Sequence, residues 1–578
     1  MQWILKPQPS ARQLQAVMRQ LHLKRLPALL FAQRGINTAE QARAFCRPKL
    51  SDLHDPFLMR DMYTAVERLH WAIQQQEPIL LYGDYDVDGT TATAMMYRFL
   101  KPLHPALYYY TPNRHIEGYG VSIQGVDYAI AHGCKLMITL DCGIKDFKAI
   151  EYARKKGIDV IVCDHHLPGE RLPGAKATLN PKRTDCPYPY KELSGCGVAF
   201  KLMQGYAQAY RIDERHLYAG LDLVALSIAC DIVPIQGENR TLAYFGLKKL
   251  KKSPLPGIKE LLQVAGFAID RDYSISDLVF GAGPRINAAG RLEHAQLAIE
   301  LLISDDPADA YDKALYIHRL NQERKQLDEK ITAEALQMIE KLRKQGYESH
   351  VLFHKHWHKG IIGIVASRCI EQVYRPTVIL TESNGKATGS ARSIAGFDLY
   401  RAIDACSDLL ESYGGHAHAA GLTLSLDKIA AFRERFEQVA RQQLRQVEPE
   451  PTLEVDAFVS LADLDQSTER IISELAPFGP GNEQPLLVSR VQLAEPARTV
   501  GQEGSHLKLR VKEDTSAVFD AIAFRMGEWA SQLTPGQSFY ICYHLEQNEY
   551  RGNKSLQLRV KDIKVEAPAW EKETFSPS

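Results

Sequence analysis

The chain of 578 residues carries 70 Lys+Arg against 70 Asp+Glu and is 45% hydrophobic and 24% charged. That is the make-up of a folded protein of about three or four domains, and it excludes a disordered, collagenous or coiled-coil chain. No uninterrupted apolar stretch approaches the roughly 20 residues that span a bilayer, and the apolar run at the amino terminus is broken by Lys6, Pro7 and Pro9, unlike a signal peptide. Ten cysteines with no C-x-x-C pair suit reduced thiols rather than a disulfide framework or zinc ribbon, so a cytoplasmic, non-membrane protein is expected.

Residues 1–60, with ten Lys/Arg against three Asp/Glu, read as a basic helical amino-terminal segment. Such a surface would hold an anionic partner, or serve only as a solvated helical face. From 61 to 300 strands and helices alternate, the signature of a parallel sheet with crossover helices. The strands are expected at Ile79–Tyr82, Leu136–Leu140 and Val160–Cys163. Residues 301–346 predict a connecting helix, with Pro307 in its first turn and Gly346 as its stop. A second α/β lobe follows over 347–445, and a charged, proline-containing passage around 446–452 marks a boundary. Over 453–570 the alternation in His506–Lys512 and Ser555–Lys561 gives strands with one apolar and one basic face. The fold class expected is therefore α/β, two lobes joined by a long helix, plus an OB-like β barrel suited to single-stranded nucleic acid.

Each of the three apolar strands is followed at once by acidic residues: Asp84, Asp86 and Asp88, then Asp141, then Asp164-His165-His166. The carboxyl ends of strands in an open α/β sheet border the ligand crevice, so these groups would meet at one edge. A calcium loop is excluded because position twelve of D-Y-D-V-D-G is Met95. Three aspartates within five residues repel one another unless a cation neutralises them. With Asp141, His165 and Asp231 added, the donor set suits Mn²⁺ or Mg²⁺. The number of carboxylates points to two ions, at the roughly 3.5–4 Å spacing of two-metal phosphoesterases. His354, His356 and His358 alternate as on one strand face, but no cysteine or carboxylate completes a zinc site. There is no G-x-x-x-x-G-K-[ST], so nothing supports ATP-driven translocation.

Asp164-His165-His166 resembles the signature of the DHH phosphoesterases, and G-D-Y-D-V-D-G (83–89), I-T-L-D-C-G-I (138–144) and A-C-D-I-V-P (229–234) follow in that family's order. Trp357–Gly363, Gly389–Ser393 and Gly414–Gly421 look like the family's second domain, DHHA1. Gly283–Arg291 and Phe478–Asn482 are similar to its bacterial single-strand-specific exonucleases, and the likeness spans essentially the whole chain. The resemblance implies Asp84, Asp86, Asp88, Asp141, His165 and Asp231 as metal ligands, Asp141 bridging the two ions. It implies Asp164 as the partner orienting an imidazole and His166 as the contact to the scissile phosphate. Many relatives carry histidine where this chain has Tyr82, which would leave a coordination position to water or Asp84. Arg114, Ser390 and Arg392 match positions that hold the 5′ end, a task suited to the forked donors of arginine. Arg285, Asn287, Gly414, Gly415 and His416 are further matched substrate positions, and Tyr119 offers a ring for base stacking or packs in the core.

The activity implied is 5′→3′ hydrolysis of single-stranded DNA to 5′-mononucleotides by a monomer, in repair and recombination. Single-strand-binding protein and a RecQ-type helicase are the partners implied. The alternatives are a phosphoesterase for short oligonucleotides or cyclic dinucleotides, and a non-catalytic strand-binding scaffold.

Overall fold

A computed structural model describes residues 1–445, 450–513, 517–550 and 553–570; part of the boundary passage expected at 446–452 lies outside the described residues. The chain forms two compact units, one of Leu50–Pro449 with Gly479–Gly481, the other of Met1–Lys49, Glu450–Phe478 and Asn482–Ser578. No helix among the described residues is long and apolar enough to cross a membrane.

In the first unit the three expected strands form the middle of a five-stranded parallel sheet. Its members are β1 (Ile79–Gly83), β2 (Leu107–Tyr110), β3 (Leu136–Leu140), β4 (Asp159–Cys163) and β5 (Ala177–Leu179), in the order β2-β1-β3-β4-β5. Near-continuous apolar strands are what a sheet covered on both faces requires. Leu81, Ile138 and Ile161 accordingly enter one core, and Leu80, Tyr82, Met137 and Val160 the other. The hydrogen-bond ladder runs one residue past the strands: Asp84 N–H donates to Leu140 O, Asp141 to Cys163 O and Asp164 to Leu179 O. Three aspartates thereby stand side by side on the carboxyl edge.

Helices α1 (Val87–Leu100), α2 (Gly195–Tyr210), α3 (Leu221–Cys230) and α4 (Gly283–Leu292) belong to this lobe. The expected connector is α5 (Pro307–Lys344), capped by Asp306 with Pro307 at its first position. Its apolar face is interrupted midway by buried Asn321, Arg324 and Asp328. Asp328 pairs with Arg324 at 3.3 Å and with Arg368 of α6 (Ile362–Gln372) at 2.8 Å, tying the connector to the second lobe.

That lobe holds β6 (His350–Phe353), β7 (Thr377–Ser383), β8 (Lys386–Arg392), β9 (Ser412–Gly415) and β10 (Ala419–Leu424), ordered β9-β10-β8-β7-β6. Strand β6 ends at Phe353, so His354, His356 and His358 lie in the turn beyond it rather than on one strand face. None of the metal-capable groups among the described residues includes them.

The other unit contains β11 (Leu487–Leu493), β12 (His506–Lys512), β13 (Phe519–Ala523), β14 (Ser538–Tyr550) and β15 (Asn553–Lys564). Pairings β11–β14, β14–β15, β15–β13, β13–β12 and β12–β11 close these strands into a ring, the five-stranded barrel of an OB fold. Leu507, Leu509 and Val511 point into the barrel while Lys508, Arg510 and Lys512 stay exposed. The basic face is weaker than its sequence suggests. Arg510 is paired with Glu495 and Asp520, and Arg559 with Glu546, all brought in from other segments.

The amino-terminal segment is mainly helical, as expected, but begins with a strand. Gln2–Leu5 is a strand paired in parallel with Thr452–Val455, and only then do helices Ala11–Leu21, Arg25–Gln33 and Ala39–Cys46 follow. Leu14, Val17, Leu30 and Phe31 share a core with Leu487, Leu507 and Ile541. Strand formation at Gln2–Leu5 depends on a partner far away in sequence, which local pattern does not reveal.

Candidate active site

The first acidic run is divided by the turn that opens α1. Asp86 is the helix cap, its Oδ1 accepting from the N–H groups of Asp88 (2.9 Å) and Gly89 (3.2 Å). Asp88 is drawn the other way, accepting from Gly195 N (2.6 Å) and Cys196 N (2.8 Å) at the start of α2 and from Ser227 Oγ (2.6 Å) on α3. Its oxygens are fixed by three hydrogen bonds, so the carboxylate is rigid. Asp84 Oδ1 has no hydrogen-bond partner. Asp141 takes a left-handed backbone, φ 63°, and a Cβ on the neighbouring Gly195 would stand 2.6 Å from the Cβ and Oδ1 of Asp141. Only glycine fits there.

Asp164 organises the next loop. Its Oδ1 accepts from His165 N (2.7 Å), His166 N (3.0 Å) and His166 Nδ1 (2.8 Å), and its Oδ2 from Ile144 N (3.0 Å). Burial alone would raise its pKa, yet the bonds and charge of His166 and the backbone donors hold it below the ordinary value. The imidazole of His166 moves oppositely to what burial dictates, upward, because of Asp164 and the other aspartates. Asn180 Nδ2 donates to His166 O at 2.8 Å and fixes the loop from behind. His165 turns inward: its Nε2 faces Asp141 Oδ1 at 3.1 Å, Asp231 Oδ2 at 3.5 Å and Asp88 Oδ2 at 3.8 Å. Both its nitrogens, Asp141 Oδ1 and Asp231 Oδ2 nevertheless lack hydrogen-bond partners.

Bare lone pairs converging in a buried place are stable only around a cation. Asp84, Asp86 and Asp141 bring ligand atoms within 4.8 Å of one another, as do Asp88, His165 and Asp231, and a third such group joins Asp141, His165 and His166. The donors therefore fit two adjacent divalent ions, with Asp141 and His165 common to more than one group. Tyr82 does not belong here. Its side chain is buried on the opposite face of β1, where its hydroxyl donates to Gly120 O and accepts from Ser122 N. Residue 82 is held away by Gly120 and Ser122, while the strand ends at Gly83 and Asp84, beyond it, is the donor at that end.

Without a cation the cluster repels itself. Burial and then the neighbouring carboxylates raise Asp84, Asp86 and Asp141, and push Asp231 up to about 9. An unfolded aspartate has lost its proton by about pH 5, so up to about pH 9 the folded state holds the extra proton and stability falls as pH rises. Chelator-treated protein should accordingly lose melting temperature from about pH 5 to pH 9 more steeply than Asp231→Asn does. Parallel slopes would show that Asp231 does not titrate in this window.

Beside the acids lies a group of arginines. Arg114 lies over the Tyr85 ring, 4.1 Å from its centroid, and its charge reaches Asp84 and Asp86. Arg392 Nη1 donates to Ser390 Oγ at 3.0 Å, on the face of β8 covered by Gly363 of α6. Arg291, at the end of α4, is lowered to about 9 by burial and then by Arg114, Arg324 and Arg392, which places these four cations together. Like charges at close range, of which only Arg324 has a carboxylate partner among the described residues, Asp328, mark a place prepared for an anion. Arg291 is a residue that sequence reasoning missed, although it ends the G-P-R-I-N-A-A-G-R passage.

Other expected positions divide. Asn287 lines a cavity of 220 Å³ with Arg291 and Arg324. Arg285 is turned inward, donating to Gly281 O at 2.5 Å and His318 Nδ1 at 3.1 Å, so its guanidinium serves packing rather than the cleft. Tyr119 is 53% exposed and its hydroxyl donates to Asp141 O at 3.1 Å, neither core nor free ring. Gly414 stands in register with Gly421, and Gly421 with Ser390, so two positions without side chains lie in a row with the Ser390 hydroxyl beside Arg392. The N–H of His416 is taken by Ala419 O in the hairpin, and nothing lies within 4 Å above Gly414.

Known proteins with this arrangement are readily found. A model described as DHH family, N-terminal domain, matches residues 78–228, one of the DHHA1 domain matches 346–442, and one of the RecJ OB domain matches 455–562. The single-stranded-DNA-specific exonuclease RecJ of Bacillus subtilis is 37% identical over 569 residues, covering 98% of this chain and 71% of that protein. That of Escherichia coli is 35% identical over 561 residues, 93% and 96% of the two chains. The chain belongs to the RecJ family. A crystal structure of RecJ from Thermus thermophilus in complex with Mn²⁺ superposes with a TM-score of 0.84 at 29% identity, over 97% of this chain and 79% of that one. A further RecJ structure bound to manganese, 32% identical, covers 69% of this chain with a TM-score of 0.60. RecJ proteins thus share with this chain the DHH lobe, the DHHA1 lobe and the barrel.

Proposed function

We propose that this protein is a metal-dependent exonuclease that hydrolyses single-stranded DNA from the 5′ end and releases 5′-mononucleotides. The observation that carries the reading is the meeting of ligand atoms from Asp84, Asp86, Asp88, Asp141, His165 and Asp231, four of these residues with unpartnered buried atoms, beside a group of arginines. RecJ relatives that are named as single-strand exonucleases, and RecJ structures with Mn²⁺ and with Mg²⁺, support it.

Two divalent cations, Mn²⁺ or Mg²⁺, held by the six donors would offset the carboxylates, acidify an attacking water and polarise the phosphoryl oxygens. The chain's own part is positioning. Arg114, Ser390 and Arg392 hold the 5′ end, which sets the distance from the terminus to the scissile phosphorus. Asp164 fixes a proton on His166 Nδ1, and because the imidazole holds its second proton above the usual range, Nε2–H donates to a phosphoryl oxygen as charge grows there. Water attacks phosphorus and the bond to the 3′-oxygen breaks. The released nucleotide keeps its 5′-phosphate, and the shortened strand gains a new one. Gly414 and Gly421, with no side chains beside Ser390, let a single backbone pass close to the sheet. The cytoplasmic location, the monomeric state, and single-strand-binding protein and a RecQ-type helicase as partners belong to the same reading.

The test is incubation of the purified protein and Mn²⁺ with matched single-stranded and blunt duplex DNA labelled at either end, products resolved by size. Mononucleotides from the 5′ end of the single strand, abolished by chelator, are expected. Strand binding without degradation would favour a scaffold, and cleavage confined to oligomers of a few nucleotides would favour a small-substrate phosphoesterase.

A further inference from the structure

A strand held at its 5′ end must also continue past the cleavage point, and no motif says what receives it. Ile232 directly follows Asp231, the carboxyl-terminal cap of α3, and lies at φ 60°. Left-handed geometry after a helix cap is common, but its usual occupant is glycine or asparagine, because a β-branched side chain crowds its own backbone there. Packing does not explain the isoleucine, which is 67% exposed. Leu167, directly after His166, is 69% exposed and lines an open groove of 580 Å³ with Lys182, Lys191 and Glu192, the last paired with Lys182 at 3.2 Å. The two loops meet where His165 Nε2 and Asp231 Oδ2 stand 3.5 Å apart.

The charges around the acidic cluster are also divided. Arg114 acts on Asp84 and Asp86, whereas Lys182 acts on Asp231 and His165. One end of the cluster therefore carries the arginines, and the other two exposed aliphatic side chains and a lysine whose present partner, Glu192, an incoming phosphate would have to displace.

We propose that Ile232, Leu167 and Lys182 form the seat of the nucleotide on the 3′ side of the scissile phosphate. The aliphatic side chains lie against its base or sugar, and Lys182 lies by its phosphate. The assignment rests on the reading above, in which the 5′ end is held by Arg114, Ser390 and Arg392. A seat of aliphatic contact and one cation carries no hydrogen-bond code, so it accepts any base, as an exonuclease of general sequence requires.

The test is Ile232→Asn, which suits the left-handed backbone and removes the apolar contact. The melting temperature should stay or rise while KM for a single strand rises about ten-fold, with kcat moving less than about two-fold. A purely structural role gives the opposite, a lower melting temperature at unaltered KM. In the second arm an abasic residue at nucleotide two should cost the wild type about ten-fold in kcat/KM and the variant less than about two-fold, since the partner is already gone. Equal losses in both proteins, or a wild-type KM in the variant, would overturn the seat. Absence of wild-type hydrolysis would instead count against the exonuclease reading. The seat is then tested by the same comparison made as strand binding in an Asp141→Asn background.

Discussion

Asp141→Asn is expected to lower hydrolysis by at least about 10³-fold while raising the melting temperature of the chelator-treated protein by about 3 °C. Both effects have one cause. Asp141 sits at φ 63° among buried carboxylates that lift its pKa, so the native chain bears backbone strain and like-charge repulsion at this residue. Asparagine tolerates the left-handed backbone and removes one charge, which relieves both in the absence of metal. The same change takes away a donor that faces His165 and is common to two of the three ligand groups, so any cation held there would lose a shared ligand. Circular dichroism melts with and without Mn²⁺, beside a rate on labelled single strands, separate the two readouts. A variant with near-normal turnover, or one less stable than wild type without metal, would refute this account of Asp141.

Gly195→Ala should be nearly as damaging although residue 195 has no side chain to offer. Its new Cβ would stand 2.6 Å from the Cβ of Asp141, and its N–H is the donor that holds Asp88 Oδ2 at 2.6 Å. Moving the start of α2 away relieves the contact but loosens Asp88, whereas moving Asp141 misplaces a donor common to two ligand groups. Displacement of about 1 Å in such a site costs on the order of 10² in rate, and overpacking a core costs about 1–3 kcal/mol. Gly197→Ala is the control, since its Cβ would meet Leu193 and Ser194 at an ordinary 3.4 Å. Retention of more than about a tenth of the activity by Gly195→Ala, or equal loss in the control, would show that the close approach to Asp141 is not what constrains the position.

Much of this was legible in the linear chain because its causes are local. Ile79–Tyr82, Leu136–Leu140 and Val160–Cys163 are strands because short apolar runs of this kind fill a doubly covered sheet, and the aspartates after them reach one edge because parallel strands all end on the same side. The connector obeys its own caps, Asp306 and Pro307 at one end and Gly346 at the other. Arg285 and Arg291 were not separable in the same way. They lie in one short passage, yet one guanidinium turns onto Gly281 and His318 while the other joins Arg114, Arg324 and Arg392. Helix phase relative to α5 makes that choice, and it is not written in residue type. Tyr82 likewise sits beside the acids in sequence and behind them in space, because it still belongs to the strand and packs in the core on one face of the sheet, whereas Asp84 follows the strand's end at Gly83.

By itself the sequence determined that this protein gathers metal-binding groups, since carboxylates and imidazoles repeated after buried strands repel one another unless a cation or extra protons neutralise them. It also determined the order of its lobes, through hydrophobic period and caps. Tertiary structure alone decided which groups are free to act. Asp88 is locked by two helices, Asp164 is saturated by donors, and Asp84, Asp141, His165 and Asp231 are left with unpaired atoms. It decided too that the chain's first strand pairs with Thr452–Val455. Whether a polar atom is satisfied, or a strand paired, depends on partners brought from hundreds of residues away, and only the packed chain supplies them.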